Sequence, residues 1–249
     1  MPPPIRLSIA APAYNEGEGI KALIQHWHEF LSLQSEITAF EIIICNDGSK
    51  DNTGLILDEL ALQYPNLKPL HFKYNQGAAA ALAAAIAHTH FEWVLLTDTD
   101  DQFPITNLPT MVAQLSLPDI VAVLGIRNKK DHWFARWGTQ ISGLICNIVH
   151  GSQLNDFNSA FKLISGSVLR KFTLEAKGMN YSTEITSRLL EASMPLIEVS
   201  IVHQARQQGK SNLRWVRDSF HRLLFVSYLA LRQLLLKLNI LRRPYPNEH

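Results

Sequence analysis

A mostly parallel α/β sheet flanked by helices is the fold that the hydropathy pattern of this chain predicts. Two observations carry the prediction. Five short apolar runs rich in Ile, Val, Leu and Phe lie at residues 7–11, 40–45, 67–72, 93–97 and 120–124, and between them lie longer segments with helical periodicity at 17–33, 53–64, 77–89 and 107–115. Strict strand–helix alternation of this kind implies parallel strands buried between helical layers. The length of 249 residues suits one sizeable α/β domain, or one domain with an appendage.

Taken in order, the first run leads into Pro12-Ala13-Tyr14-Asn15-Glu16 and the second into Asn46-Asp47-Gly48-Ser49-Lys50-Asp51. The third run leads into Tyr74-Asn75-Gln76-Gly77, and the Ala-rich segment after it reads as a helix whose small residues permit close packing on the sheet. The fourth run ends in Asp98-Thr99-Asp100-Asp101-Gln102. Right-handed crossovers place all these polar loops on one edge of the sheet, where open α/β sheets hold their ligands.

Composition narrows the class. The chain is 47% hydrophobic and 18% charged, with a formal net charge of +1, as in ordinary globular proteins. Cys45 and Cys146 lie inside apolar runs without metal-type spacing, so neither a disulfide framework nor a zinc site is expected, and a reducing compartment fits. The segment Met1-Pro2-Pro3-Pro4-Ile5-Arg6 lacks the basic and apolar regions of a signal peptide, so a cytosolic catalytic part is expected. No G-x-G-x-x-G follows the first strand and no complete P-loop occurs, since Gly209-Lys210-Ser211 lacks the preceding glycine. Both absences argue against dinucleotide and P-loop phosphate chemistry.

The aspartate cluster is the most informative loop. In an extended segment residues 98 and 100 point to one side and Gln102 follows in register, so two carboxylates and an amide oxygen converge. Hard oxygen ligands favour Mg2+ or Mn2+, and a diphosphate is the natural anionic partner of such an ion. Aspartates after a strand also serve as turn formers and helix caps.

Together with Asp47-Gly48-Ser49-x-Asp51-x-Thr53, Asn75-x-Gly77 and Arg206-x-x-Gly209-Lys210-Ser211, the first loop and Asp98-x-Asp100-x-Gln102 resemble family-two glycosyltransferases of GT-A fold, from about Arg6 to Asn212. The dolichyl- and polyprenyl-phosphate sugar transferases are the most similar subgroup. The resemblance implies a Rossmann-like GT-A sheet and a nucleotide-sugar site at Pro12, Tyr14, Glu16, Asp47, Asp98 and Arg206. It implies a metal triad of Asp98, Asp100 and Gln102 for Mg2+ or Mn2+, and catalytic roles for Asp100, Asp156 and Arg206. Arg127 and Arg136 match arginines expected at an acceptor phosphate, for which bidentate guanidinium contacts are suited, while Lys129 and Lys130 read better as a solvated face. Asp156 either orients sugar hydroxyls, acts as a weak base, or caps a turn. Glu184, placed after Ser182 as in a capping box, and Ser211 are secondary candidates. Asn46 stands where the family has the first of two aspartates, and Ala205 where it commonly has proline.

The function implied is metal-dependent, inverting transfer of a hexose, mannose or glucose, from a GDP-mannose- or UDP-glucose-type donor to a polyprenyl or dolichyl phosphate. Transfer to a sugar hydroxyl, with Asp156 or another carboxylate as base, and a non-catalytic nucleotide-sugar binder are the alternatives; a structural protein is the remote one. No nucleic-acid partner is expected, and a homo-oligomer stays open. The expected division is a catalytic domain at 1–211 and a basic amphipathic C-terminal helix with a tail at 212–249. Between Lys210 and Arg243 eight Lys or Arg face one acid, Asp218. Central charges at about 2.5–3.5 kcal/mol each disfavour a spanning helix, so the helix suits a cytoplasmic membrane surface, a membrane-protein partner, or its own domain.

Overall fold

The computed structural model describes residues 3–17, 19–127, 133–204 and 215–241, with the backbone alone at 133–140, 179 and 215–221. Seven strands form one sheet: β1 (Ile5–Ala13), β2 (Ile37–Asn46), β3 (Leu67–His71), β4 (Trp93–Leu96), β5 (Ala122–Arg127), β6 (Lys162–Ser165) and β7 (Leu196–Ile201). Their spatial order is β3-β2-β1-β4-β6-β5-β7. All pairings are parallel except those of β6, which runs antiparallel to both β4 and β5.

All five expected strands form. Leu7, Ile9, Ala10, Ile42, Ile43, Ile44, Val94 and Leu95 are fully buried, as continuous apolar runs covered on both faces should be. The crossovers α1 (Ile20–Ser32), α2 (Thr53–Gln63) and α3 (Ala78–Ala87) form where periodicity places them, and the fourth segment breaks into a short helix α4 (Leu108–Val112) between 3-10 turns. Ala79, Ala81, Leu82, Ala85 and Ile86 of α3 are buried, and the helix packs on β1 and β2, so the small side chains do allow close approach.

Strands β6 and β7 are absent from the apolar-run pattern for separate reasons. β6 has only four residues and opens on Lys162, while the half-exposed edge strand β7 reads Leu-Ile-Glu-Val-Ser-Ile, in which Glu198 and Ser200 interrupt the apolar run. Between β5 and β6 lies α5 (Trp133–His150), and between β6 and β7 lie α6 (Gly166–Leu169) and α7 (Tyr181–Glu191). α8 (Trp215–Lys237) follows β7 and packs against α5 and α7, burying Leu229 and placing Val226 beside Cys146 and Phe157.

The antiparallel strand sets the geometry of the functional edge. Lys162 of β6 is the register partner of Leu96 in β4 and of Leu124 in β5. The ends of β4 and β5, and with them Asp98 and Arg127, therefore flank the start of β6, two strand spacings or about 10 Å apart.

Candidate active site

The first two loops are knitted together along the carboxyl edge. Asn15 takes a left-handed φ of 56°, its N–H donates to Ser49 Oγ at 2.9 Å, and its Oδ1 accepts from Lys50 N at 2.8 Å. Glu16 N donates to Thr53 Oγ1 and Gly17 N to Asp51 Oδ2. Asn15 and Ser49 thus serve the turn, leaving Pro12, Tyr14 and Glu16 half-buried along the same edge.

Asp47 is almost wholly buried, and its two oxygens accept from Gln76 N at 2.6 Å and Gly77 N at 2.9 Å, so it ties the second loop to the third. Burial raises its carboxyl above the ordinary value, against the opposing pull of these two donors. Asn46 supplies a separate brace. Its Nδ2 meets His71 Nδ1 at 3.1 Å, its Oδ1 accepts from Ser49 N at 3.0 Å, and His71 Nε2 faces Asp58 at 3.0 Å. An amide can donate to the histidine and accept from the turn at once, which a carboxylate, having no donor, cannot do.

At the end of β4, Thr99 turns inward and donates from Oγ1 to Pro12 O at 2.9 Å. Its neighbours Asp98 and Asp100 sit on either side of this anchor. The Tyr181 hydroxyl donates to Asp98 Oδ1, and burial followed by the charges of Asp98 and Asp100 raises the phenol well above its ordinary value. Both carboxylates therefore lie close to one buried phenol, an oxygen-rich donor set that fits a hard divalent cation. The expected extended register stops short of Gln102. Asp101 has φ 57°, a left-handed turn, and Gln102 N returns to Asp100 Oδ1 at 3.2 Å. Gln102 thus follows Asp100 around a turn rather than along a strand. Gln102 O accepts from Gln204 N at 2.9 Å, and Phe103 meets the His203 ring edge-on at 5.0 Å, so the chain after β7 passes directly beside the cluster.

Across β6, Arg127 grips Asp156 with Nε at 2.7 Å and Nη2 at 3.0 Å. Asp156 is fully buried and also accepts from Asn158 N, while Glu198 accepts from the N–H groups of Asn155 and Asp156. A buried carboxylate held by a bidentate arginine is placed to orient that arginine. Lys162, 1% exposed, lies under the same group, with Nζ 3.5 Å from Phe157 O. Burial pulls it down to about 7, opposed by Asp156 and Glu198 and reinforced by Arg127.

The capping-box reading of Glu184 is corrected. α7 starts at Tyr181 with Asn180 as its N-cap, so Glu184 falls in the fourth helical position. Its carboxylate is fully buried, accepts from Glu175 N and Ala176 N, and pairs with Arg188 Nη2 at 2.8 Å. Arg136 lies on α5, where only the backbone is described. Lys129, Lys130, Arg206, Gly209 and Ser211 lie outside the described residues. Tyr181 is the site residue that sequence reasoning missed, because no motif surrounds it and only the packing of α7 brings it to Asp98.

Residues 8–176 match the family model described as Glycosyl transferase family 2. A prophage bactoprenol glucosyl transferase homolog of Escherichia coli (strain K12) is 35% identical over 171 residues, covering 68% of this chain and 55% of that protein. An undecaprenyl-phosphate 4-deoxy-4-formamido-L-arabinose transferase of Pseudomonas fluorescens (strain SBW25) is 30% identical over 213 residues, covering 85% of this chain and 61% of that one. A dolichyl-phosphate beta-glucosyltransferase of Trichomonas vaginalis is 32% identical over 117 residues, 46% of this chain and 36% of its own length. The chain thus spans between about a third and two thirds of these relatives. Among solved structures, glucosyl-3-phosphoglycerate synthase from Mycobacterium tuberculosis in complex with Mn2+, uridine-diphosphate-glucose and phosphoglyceric acid superposes with a TM-score of 0.68 at 16% identity. That match covers 92% of this chain and 79% of the other. The same enzyme with phosphoglyceric acid alone gives 0.69 at 16% identity, over 92% and 80%. The match to the family model takes in the first loop, the Asp47 turn, the aspartate cluster and the Arg127–Asp156 pair on one sheet edge, and this chain belongs to glycosyltransferase family 2.

Proposed function

We propose that the protein transfers a hexose, glucose in the first instance, from a uridine diphosphate sugar to a polyprenyl phosphate. The observation that carries this reading is the pairing of Arg127 with Asp156 across from Asp98 and Asp100. A hydroxyl acceptor needs a base, and the carboxylate nearest that role is buried and committed to an arginine. A phosphate acceptor is already anionic and needs a guanidinium to position it. The bactoprenol and dolichyl-phosphate glucosyltransferase relatives support the same acceptor and favour glucose over mannose.

In this reading Tyr14 and Glu16 line the nucleoside end of the cleft, and Asp47 holds the second and third loops that form its floor. Asp98 and Asp100, with Gln102, would hold Mg2+ or Mn2+, which when bound neutralises the diphosphate and the charge that grows on it. Arg127, with Arg136 from α5, holds the lipid phosphate so that one of its oxygens faces the anomeric carbon. That oxygen forms the new bond as the bond to the diphosphate breaks, the nucleoside diphosphate departs, and the configuration inverts. No proton has to be removed from the acceptor. Arg206, two residues beyond the Gln204–Gln102 contact, is assigned to the departing diphosphate by the family pattern.

The membrane reading rests on α5 and α8. Ile141, Leu144 and Ile148 of α5, with Leu224, Leu231 and Leu234 of α8, are exposed apolar side chains on two helices that pack together. No helix among the described residues is long and apolar enough to cross a membrane. Such side chains, together with the basic sequence at 210–243, suit an anionic bilayer surface that carries the acceptor. Release of nucleoside diphosphate from a panel of UDP and GDP sugars, with and without a short polyprenyl phosphate, tests the proposal. Release from UDP-glucose that depends on the lipid phosphate is expected; equal release without it would refute the acceptor assignment.

A further inference from the structure

We infer that Tyr181 is a positioning residue for the carboxylate pair, its hydroxyl aiming Asp98 so that Asp98 and Asp100 stand preset for a divalent cation. The inference rests on the metal-dependent reading of the site given above.

Three features place it beyond ordinary core packing. First, Tyr181 is 2% exposed, and its hydroxyl donates to a carboxylate rather than to a backbone carbonyl or solvent. Second, the helix turn that carries it is fastened on its far side. Ser182 Oγ donates to Ser159 O, Thr183 Oγ1 to Asn158 Oδ1 at 2.6 Å, and Thr186 Oγ1 to Phe157 O at 3.3 Å. Third, the residue between the two aspartates is fastened from the other direction by Thr99 Oγ1 on Pro12 O. Asp98 is thereby held between two anchored elements, one on α7 and one on β1, with the phenol seated on its Oδ1. The same turn of α7 reaches Asn158, whose N–H donates to Asp156 at 3.1 Å, so one helix end braces both the aspartate pair and the arginine mount.

Loss of an outer hydrogen bond to a metal-binding side chain commonly weakens metal affinity by 10–100-fold. A tyrosine that merely fills the core would leave that affinity alone when replaced by phenylalanine, which keeps the ring and removes one oxygen.

The test is titration of the full chain with Mn2+, followed by the loss of the free-ion paramagnetic resonance signal in the presence of UDP. Wild type, Tyr181→Phe, Asp98→Asn and the double variant are compared, with near-ultraviolet circular dichroism as a check on folding. The expected result is about tenfold weaker Mn2+ binding in Tyr181→Phe and no further loss when that change is added to Asp98→Asn, since both act through one carboxylate. Wild-type affinity in Tyr181→Phe, or losses that add in the double variant, would overturn the inference while leaving the metal site standing. Absence of Mn2+ binding by the wild type would overturn the metal reading and this inference together.

Discussion

Arg127 and Asp156 form a two-point ion pair at 2.7 and 3.0 Å in which the carboxylate is fully buried and the arginine side chain is 19% exposed. The arrangement turns a mobile side chain into a fixed donor. Removing one member leaves the other charge stranded, which costs about 3–5 kcal/mol in buried pairs.

Asp156→Asn is therefore expected to lower the melting temperature by several degrees and to raise KM for the lipid phosphate far more than KM for the sugar donor. Steady-state kinetics with each substrate varied in turn checks this. Equal effects on both KM values would contradict the assignment of Arg127 to the acceptor.

Lys162 gives the fold a pH dependence with a defined sign. The folded state holds this amine at about 7 against an ordinary 10.5, so between those values the unfolded chain binds the extra proton. Stability contributed by this group therefore rises with pH across that window, with a slope approaching ~1.4 kcal/mol per pH unit, and is lost as pH falls through about 7. Chemical denaturation of wild type from pH 6.5 to 9 should show the rise, and Lys162→Met should flatten it.

Gly48 has no room for a side chain. Its φ is 65°, and a Cβ would stand 2.5 Å from the Tyr74 carbonyl carbon and 2.6 Å from Asn75 N. Gly48→Ala is expected to cost more than ~1 kcal/mol and to weaken UDP binding by separating the second and third loops. Denaturation and calorimetry together check it; unchanged UDP affinity would detach the Asp47 turn from the nucleoside site.

The exposed leucines of α8 carry a surface prediction. Leu231→Glu combined with Leu234→Glu is expected to reduce sedimentation with anionic phospholipid vesicles severalfold without changing UDP affinity. Persistence of vesicle binding would assign those side chains to another contact.

The sheet was legible because its parallel strands announce themselves as continuous apolar runs, and the loops because a polar break follows each run on the same edge. Ile42, Ile43 and Ile44 are read that way from sequence and are fully buried. Lys162 is the opposite case: a lysine opening a four-residue strand looks like a loop, and only pairing with Leu96 and Leu124 makes it a strand. α7 hid for a similar reason. Its Ser182, Thr183, Glu184 and Arg188 are polar residue types, yet each is buried and partnered, so Tyr181 could not be placed beside Asp98 in advance. The pairing of Asp156 with Arg127 is not legible in sequence, since it depends on which side chain fills the space next to the carboxylate.

The most direct measurement is transfer of labelled glucose from UDP-glucose to a short polyprenyl phosphate, followed by extraction of the lipid product, in wild type, Asp100→Ala and Arg127→Ala. Labelled lipid should form in step with UDP release in the wild type, disappear in Asp100→Ala, and in Arg127→Ala require far higher acceptor concentrations. Label that leaves the donor only for a sugar hydroxyl, or lipid product that survives Asp100→Ala undiminished, would contradict the proposed reaction.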